Sequence, residues 1–200
     1  TLFGRCRRME NAMRKLLFMI LPLFVAGLYG VTAAAAAQRT AELLPAFELE
    51  VPAEEKHRSY LGLEAESGSF SVPDIDADIV LIELFSMYCP YCQKEAPLIN
   101  ELFESMNELP EGAPRVKIIG IGASNSEFEV GHFRSTYNVQ FPLFPDQDMA
   151  IYKALSGAGT PGFIGVRLSG GGDPVIVLRQ SGGFYSKEDF LAELIEFAQQ

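Results

Sequence analysis

The sequence predicts an α/β fold: a central mixed β-sheet flanked by helices. Three observations predict it. Ile79–Phe85 is a nearly continuous apolar run, the pattern of a strand covered on both faces, and a helical stripe opens directly after it at Cys89-Pro90-Tyr91-Cys92. Residues 115–122, with Val116, Ile118, Ile119 and Ile121, form a second run, so strand, helix and strand make a βαβ unit with parallel strands and a right-handed crossover. Toward the end, residues 162–168 and 175–180 flank the Gly-rich stretch 169–174, which reads as a hairpin ahead of a last helix.

The first segment stands apart from this pattern. Arg14 and Lys15 precede the apolar run 16–29, and Ala33 to Ala37 follow it. A positive start, a short apolar stretch and small residues at the end predict a secretory signal peptide over residues 1–37, cleaved after about Ala37. The alternative is a retained membrane anchor over residues 16–31, although Pro22, Gly27 and Gly30 interrupt the run and it is short for a span. Either way the expected location is exported, in the periplasm. Residues 38–44 read as a linker and 45–200 as the folded domain. Without residues 1–37 the chain carries 11 basic and 25 acidic side chains, a net charge of −14, which argues against binding nucleic acid or anionic membrane surfaces.

Along the domain, alternation over residues 44–52 predicts a short edge strand, and residues 59–63 and 69–72 read as further short strands separated by Ser67-Gly68. Asp74, Asp76 and Asp78 lack the glycine and distal Glu of a calcium loop and read as a solvated turn. The cysteine helix shows an apolar stripe of Leu98, Leu102 and Met106, flanked by Ile99 and Phe103, with Pro97 expected to kink it. Ser124-Asn125-Ser126-Glu127 marks a helix start running to about Tyr137, with Val130, Phe133 and Tyr137 on one face. A short strand at 141–144, a short helix at 148–155 and a turn at 156–161 follow. Ser186 to Asp189 caps the last helix, whose stripe is Phe190, Leu194 and Phe197. The glycines at 170–172 lead into a strand rather than a helix, which argues against a phosphate cradle.

The chemistry centres on two cysteines. Cys6 leaves with the leader, so Cys89 and Cys92 remain in an exported chain. They are too close in sequence to staple much loop entropy. A zinc site would need two further ligands, and His57 and His132 stand alone. Redox exchange is left, with no metal and no cofactor required. Pro90 suits the first helical turn, where its missing N–H costs nothing. The free N–H groups and partial positive charge of a helix start favour a thiolate. Cys89 is therefore the expected attacking nucleophile and Cys92 the resolving thiol. Glu95, three residues after Cys92, shares its helix face and is a candidate to take or return the Cys92 proton. Glu83, inside the apolar strand, is a second candidate for a proton relay, because a buried carboxylate is costly and needs a reason.

A strand, Cys-x-x-Cys at a helix start, alternating strands and helices, then a proline turn feeding a hairpin and a last helix: this layout resembles the thioredoxin superfamily over roughly residues 45–200. The resemblance is most specific at residues 85–92, with Glu95 and Pro97, and at Thr160-Pro161. Within the superfamily the chain looks most like the exported TlpA/ResA-type thiol:disulfide oxidoreductases. Pro45-Ala46-Phe47 matches their edge-strand start, residues 124–155 their insertion, and Glu95 and Pro97 the third and fifth positions after their motif. Two features depart from the usual pattern: Tyr88 stands where Trp is usual, and Pro90-Tyr91 is the glutaredoxin dipeptide.

The resemblance implies a thioredoxin-like fold with an N-terminal strand extension and an inserted helix-containing segment, and a cis Pro161 opposite the cysteines, with Thr160 offering its backbone to an extended substrate. Tyr88, Pro90 and Tyr91 are expected to complete the substrate-binding surface, and Glu83 occupies the position of thioredoxin's buried acid. The implied function is an exported thiol:disulfide oxidoreductase acting on protein cysteines, as a reductase, with a disulfide-donating oxidase as the alternative. Apocytochrome c is the typical substrate and a membrane protein of DsbD type the electron donor by analogy. A monomer is expected. Two other readings of the same fold are weaker. A thiol peroxidase would explain Ser86 three residues before Cys89, but Ile82 stands where peroxiredoxins have proline. A copper chaperone would use the paired thiolates, but its Cys-x-x-x-Cys spacing is absent.

Overall fold

The computed structural model describes residues 42–168 and 172–200. The expected leader or anchor, the first part of the expected linker (38–41) and residues 169–171 of the hairpin connection lie outside the described residues.

The elements run in the order β1 (Glu42–Leu43), β2 (Leu49–Glu50), α1 (Glu55–Leu61), β3 (Ser69–Phe70), a 3₁₀ turn (Val72–Asp74), β4 (Ile79–Phe85), α2 (Pro90–Asn107), β5 (Val116–Ala123), α3 (Glu127–Tyr137), β6 (Leu143–Asp146), α4 (Ala150–Ala154), β7 (Gly162–Arg167), β8 (Val175–Ser181) and α5 (Lys187–Ala198). The main sheet has the strand order β1-β8-β7-β4-β5-β6. β4 is central: it pairs parallel with β5 and antiparallel with β7, so the sheet is mixed. β7 and β8 form the antiparallel hairpin that the glycines predict.

All seven residues of β4 are buried, as its unbroken apolar run requires. Successive side chains of a strand point to opposite faces, and this decides where the chemistry sits. Ile79, Leu81 and Phe85 join α2, α3 and α5 in one core, together with Cys92, Ala96, Val130, Phe133, Phe190 and Leu194. Val80, Ile82 and Leu84 face the other core, with Leu61, Val72, Phe144 and Leu155. Glu83 shares the odd-numbered phase and so faces α2 and Cys92. The α2 stripe is Cys92, Ala96, Ile99, Leu102 and Met106. Ile99, expected to flank the stripe, is thus part of it, whereas Leu98 and Phe103 are only partly buried against the core. On α5 the buried positions are Phe190, Leu191, Leu194 and Ala198, with Phe197 at the margin.

Several expectations are corrected. Residues 59–61 are not a strand but the end of helix α1. Glu54 to Arg58 are mostly good helix formers, His57 and Leu61 fall one turn apart on the buried side, and Gly62 closes the helix in the left-handed region at φ 74°. Of residues 69–72 only Ser69 and Phe70 form a strand, paired with β2, and Val72 begins the 3₁₀ turn. The edge strand expected over 44–52 shrinks to Leu49–Glu50. Residues 42–43, expected in a linker, pair with β8, and Arg179 binds the Glu42 carboxylate at 2.6 Å. The strand expected at 141–144 is shifted to Leu143–Asp146, because its carbonyl and amide groups pair with residues 120–123 of β5. The aspartate turn lies at the surface, as expected, and is also tied down there: Asp76 and Asp78 hold Arg115, and Asp74 closes back on Ser71.

Candidate active site

β4 ends at Phe85, four residues turn, and α2 begins at Pro90. The turn places Cys89 at the helix N-cap, with φ −86° and ψ 113°, and Cys89 Sγ accepts the Cys92 N–H at 3.5 Å. Cys89 is half-buried and Cys92 fully buried, both as free thiols. This is the asymmetry that an attacking and a resolving thiol need. The Thr160–Pro161 peptide bond is cis, as the resemblance implies, and the Cys89 thiol donates to the Thr160 carbonyl at 3.1 Å. The proline loop therefore lies directly on the cysteine.

Burial alone would raise the Cys89 thiol. Hydrogen bonds with Thr160, the Cys92 N–H, the Cys92 thiol and the Tyr91 N–H outweigh it and hold Cys89 below the ordinary thiol range. The bond to the Thr160 carbonyl itself favours the thiol, since a thiolate cannot donate. The depression comes first from the Thr160 side chain and then from the N–H groups of the helix start. Burial pushes the Cys92 thiol far up, the neighbouring Cys89 and Glu83 add to this, and a bond with the Ser86 backbone opposes it. The two sulfurs are thus shifted in opposite directions, Cys89 releasing its proton more readily than an ordinary thiol and Cys92 less readily.

Glu83 is 2 % exposed in the middle of the sheet, between Gly120 and Phe163. Burial, then the charge of Glu95, pushes its carboxyl up to about 8. Glu95 is also raised, first by burial and against the pull of a hydrogen bond from Phe184 N–H, which its Oε1 accepts at 2.7 Å. Its carboxylate rests on Gly183, where a β-carbon would collide with both carboxylate oxygens. Glu95 is therefore not a solvated residue of an early helical turn but one anchored to the loop after β8. That loop is fixed by a cluster of three rings: Phe184 stacks on Phe190 at 4.6 Å, and both meet Phe163 edge-on.

Tyr88 and Tyr91 stand out from the surface beside the cysteines, 63 % and 74 % exposed. The Tyr88 hydroxyl donates to Glu129 on α3. Pro90 occupies the first helical position. The structure thus brings Cys89, Cys92, Thr160 and Pro161 together, sets Glu83 and Glu95 behind Cys92, and leaves the two tyrosines at the rim.

Residues outside the sequence-based list hold this turn in place. Asn125 is fully buried: its Oδ1 accepts Met87 N–H at 2.8 Å, and its Nδ2 reaches Ser124 O at 3.1 Å and Ser86 Oγ at 3.5 Å. Gln93 Nε2 donates to Met87 O at 2.7 Å. The stretch around Asn125 reads only as a helix start in the sequence. The usable signal is its position at the carboxyl edge of β5, where the loops of an α/β sheet meet the site. Nothing in the sequence points from Glu95 to Gly183 and Phe184, which are distant along the chain.

Comparison with known proteins agrees with this geometry. The chain is 26 % identical over 110 residues to the thiol-disulfide oxidoreductase ResA of Bacillus cereus, a match covering 51 % of this chain and 61 % of that protein, so it spans less than two thirds of the relative. A structure of a putative thiol:disulfide interchange protein DsbE from Chlorobium tepidum superposes with a TM-score of 0.57 at 12 % identity, covering 79 % of this chain and 96 % of the other. StoA from Bacillus subtilis superposes with a TM-score of 0.50 at 19 % identity, over 64 % and 90 %. These likenesses show a thioredoxin-like fold. The AhpC/TSA family model matches residues 41–172, the span that carries β4, the cysteine helix and the proline loop, and the chain belongs to that family.

Proposed function

We propose that the protein is a thiol:disulfide oxidoreductase that exchanges a Cys89–Cys92 dithiol with cysteines of other proteins, working as a reductase. The observation that carries the reading is the pairing of an accessible, acidified Cys89 with a buried, protonated Cys92 one turn later, under the Thr160–Pro161 loop.

In the reducing direction, Cys89 thiolate attacks one sulfur of a substrate disulfide. The substrate S–S bond breaks, its second sulfur leaves as a thiolate, and a mixed disulfide with Cys89 forms. Cys92 then attacks Cys89, closes the Cys89–Cys92 disulfide and frees the substrate's first sulfur. Two electrons pass to the substrate. In this second step the Cys92 proton passes to the ionised form of Glu83, which stands on the same face with a carboxyl poised near pH 8 and is otherwise held as the neutral acid. Glu95, held at Phe184, keeps negative charge close to Glu83 and so helps to set that value. Thr160, Pro161, Tyr88, Pro90 and Tyr91 form the surface that meets the substrate.

The wider setting belongs to the same proposal. The leader pattern at 1–37 supports export to the periplasm, by cleavage or by anchoring through residues 16–31. There a membrane donor of DsbD type would supply electrons and apocytochrome c would be a fitting substrate, with the protein acting as a monomer of one thioredoxin-like domain, the expected 45–200 together with the strand at 42–43.

The reduction potential of the pair, measured by equilibration in glutathione buffers, tests the direction. A value near about −270 mV, thioredoxin's level, is expected. A value near about −120 mV, that of DsbA, would make the protein a disulfide donor instead.

A further inference from the structure

Five large apolar side chains stand exposed among the described residues: Leu43, Tyr88, Tyr91, Phe128 and Tyr185. Four of the five lie on segments that meet the start of the cysteine helix. Tyr88 and Tyr91 flank the cysteines. Phe128 sits in the first turn of α3, beside Glu129, which takes the Tyr88 hydroxyl. Tyr185 follows Phe184, whose N–H binds Glu95 one turn beyond Cys92, and it is fully exposed. Exposed aromatic rings gathered at one place mark contact with another molecule, since their burial is what a folded chain otherwise achieves.

The charges on the same segments choose the partner. Glu127 and Glu129 lie in the first turn of α3, and Glu188 and Asp189 in the first turn of α5. Against them stand Lys94 and Lys187, and Lys187 is already held by Glu101 at 3.3 Å and Glu188 at 3.9 Å. An acidic rim with upstanding rings attracts cations in two ways, by charge and by the negative faces of the rings.

We infer that this surface selects polypeptide segments carrying Lys or Arg beside the reacting cysteine and disfavours those with flanking Asp or Glu. The inference rests on the exchange reading above and adds the substrate class. Phe128 and Glu127 stand in the same helical turn as Glu129, which holds Tyr88 beside Cys89, so this turn brings both an exposed ring and negative charge to the side of the cysteines.

The test uses pre-reduced protein and three disulfide-linked peptides that differ only in flanking Lys, Ser or Glu. Single-turnover rate constants are followed at low and high salt. The Lys peptide should react about tenfold faster than the Glu peptide at low salt, with the ratio shrinking several-fold at high salt, as for electrostatically guided encounter. Glu127→Lys should bring the ratio toward one, whereas Glu188→Lys should change it much less, because that side chain lies with Lys187 beside Glu101. Phe128→Ser with Tyr185→Ser should slow all three peptides several-fold. Equal rates for Lys and Glu peptides, or a ratio untouched by Glu127→Lys, would overturn the inference while leaving exchange intact. Failure of the Ser peptide to react at all would instead overturn the exchange reading, and this inference with it.

Discussion

Replacing Glu83 with Gln isolates the most costly group in the sheet. Gln keeps the shape but cannot ionise. The Glu83 carboxyl sits at about 8 in the folded protein against 4.5 for an ordinary one. Between those values the unfolded chain has already released the proton that the folded chain keeps. The folded state therefore binds more protons, and stability falls as pH rises through that window. The stability of protonated Glu83 is fully present below about pH 4.5 and is lost by the time pH passes 8. Every tenfold difference in proton affinity between the folded and unfolded chain is worth about 1.4 kcal/mol, so the ceiling is about 5 kcal/mol and a realised loss of about 2–4 kcal/mol is expected after relaxation. Urea unfolding of the reduced wild type and of Glu83→Gln, at intervals from pH 5 to 9, reads this directly. The two should agree within about 1 kcal/mol at pH 5 and diverge as pH rises, with Gln the more stable at pH 8.5. Parallel profiles across the whole range would refute the idea that Glu83 is buried as the neutral acid.

Three further outcomes follow from the contacts. Asn125→Ala removes the acceptor of the Met87 N–H inside the cysteine turn, so stability should drop by about 1–3 kcal/mol and the Cys89 titration should shift, read by unfolding and by thiolate absorbance. Gly183→Ala would place a β-carbon onto the Glu95 carboxylate and should expel it from Phe184 N–H. The cost is about 1–3 kcal/mol, and resolution of a preformed mixed disulfide should slow if Glu95 acts through Glu83. Alkylation of the reduced protein against pH should give an inflection for Cys89 below that of an ordinary thiol, while Cys92 stays unreactive until the protein is unfolded. Equal reactivity of the two thiols would contradict the assigned asymmetry.

Much of this was legible in the sequence because the signals were local. The apolar run 79–85 has the composition of a two-sided strand, and Cys89-Pro90 after it suits the opening of a helix. The period of two in β4 even assigns Glu83 to the Cys92 face once the helix is known to cover it. The N-terminal extension was harder. Its strands are two residues long, too short for the alternation over 44–52 to set their bounds, and α1 is short enough for its Ser59 to Leu61 end, with Leu63 just beyond, to imitate a strand. The hidden part of the site is non-local. Asn125 touches Met87 across 38 residues, and Glu95 meets Phe184 across 89. Sequence spacing carries no information on such pairs, which depend on the parallel register of β4 with β5 and on the ring cluster under the last loop.

The central claim is that Cys89 attacks and Cys92 resolves, and trapping the mixed disulfide tests it most directly. Cys92→Ser and Cys89→Ser would each be reacted with the Ser-flanked disulfide peptide and analysed by mass spectrometry without reductant. The account predicts a stable adduct on Cys89 in Cys92→Ser and none on Cys92 in Cys89→Ser, where that thiol is buried and protonated. An adduct on Cys92 in Cys89→Ser, or none in either variant, would contradict it.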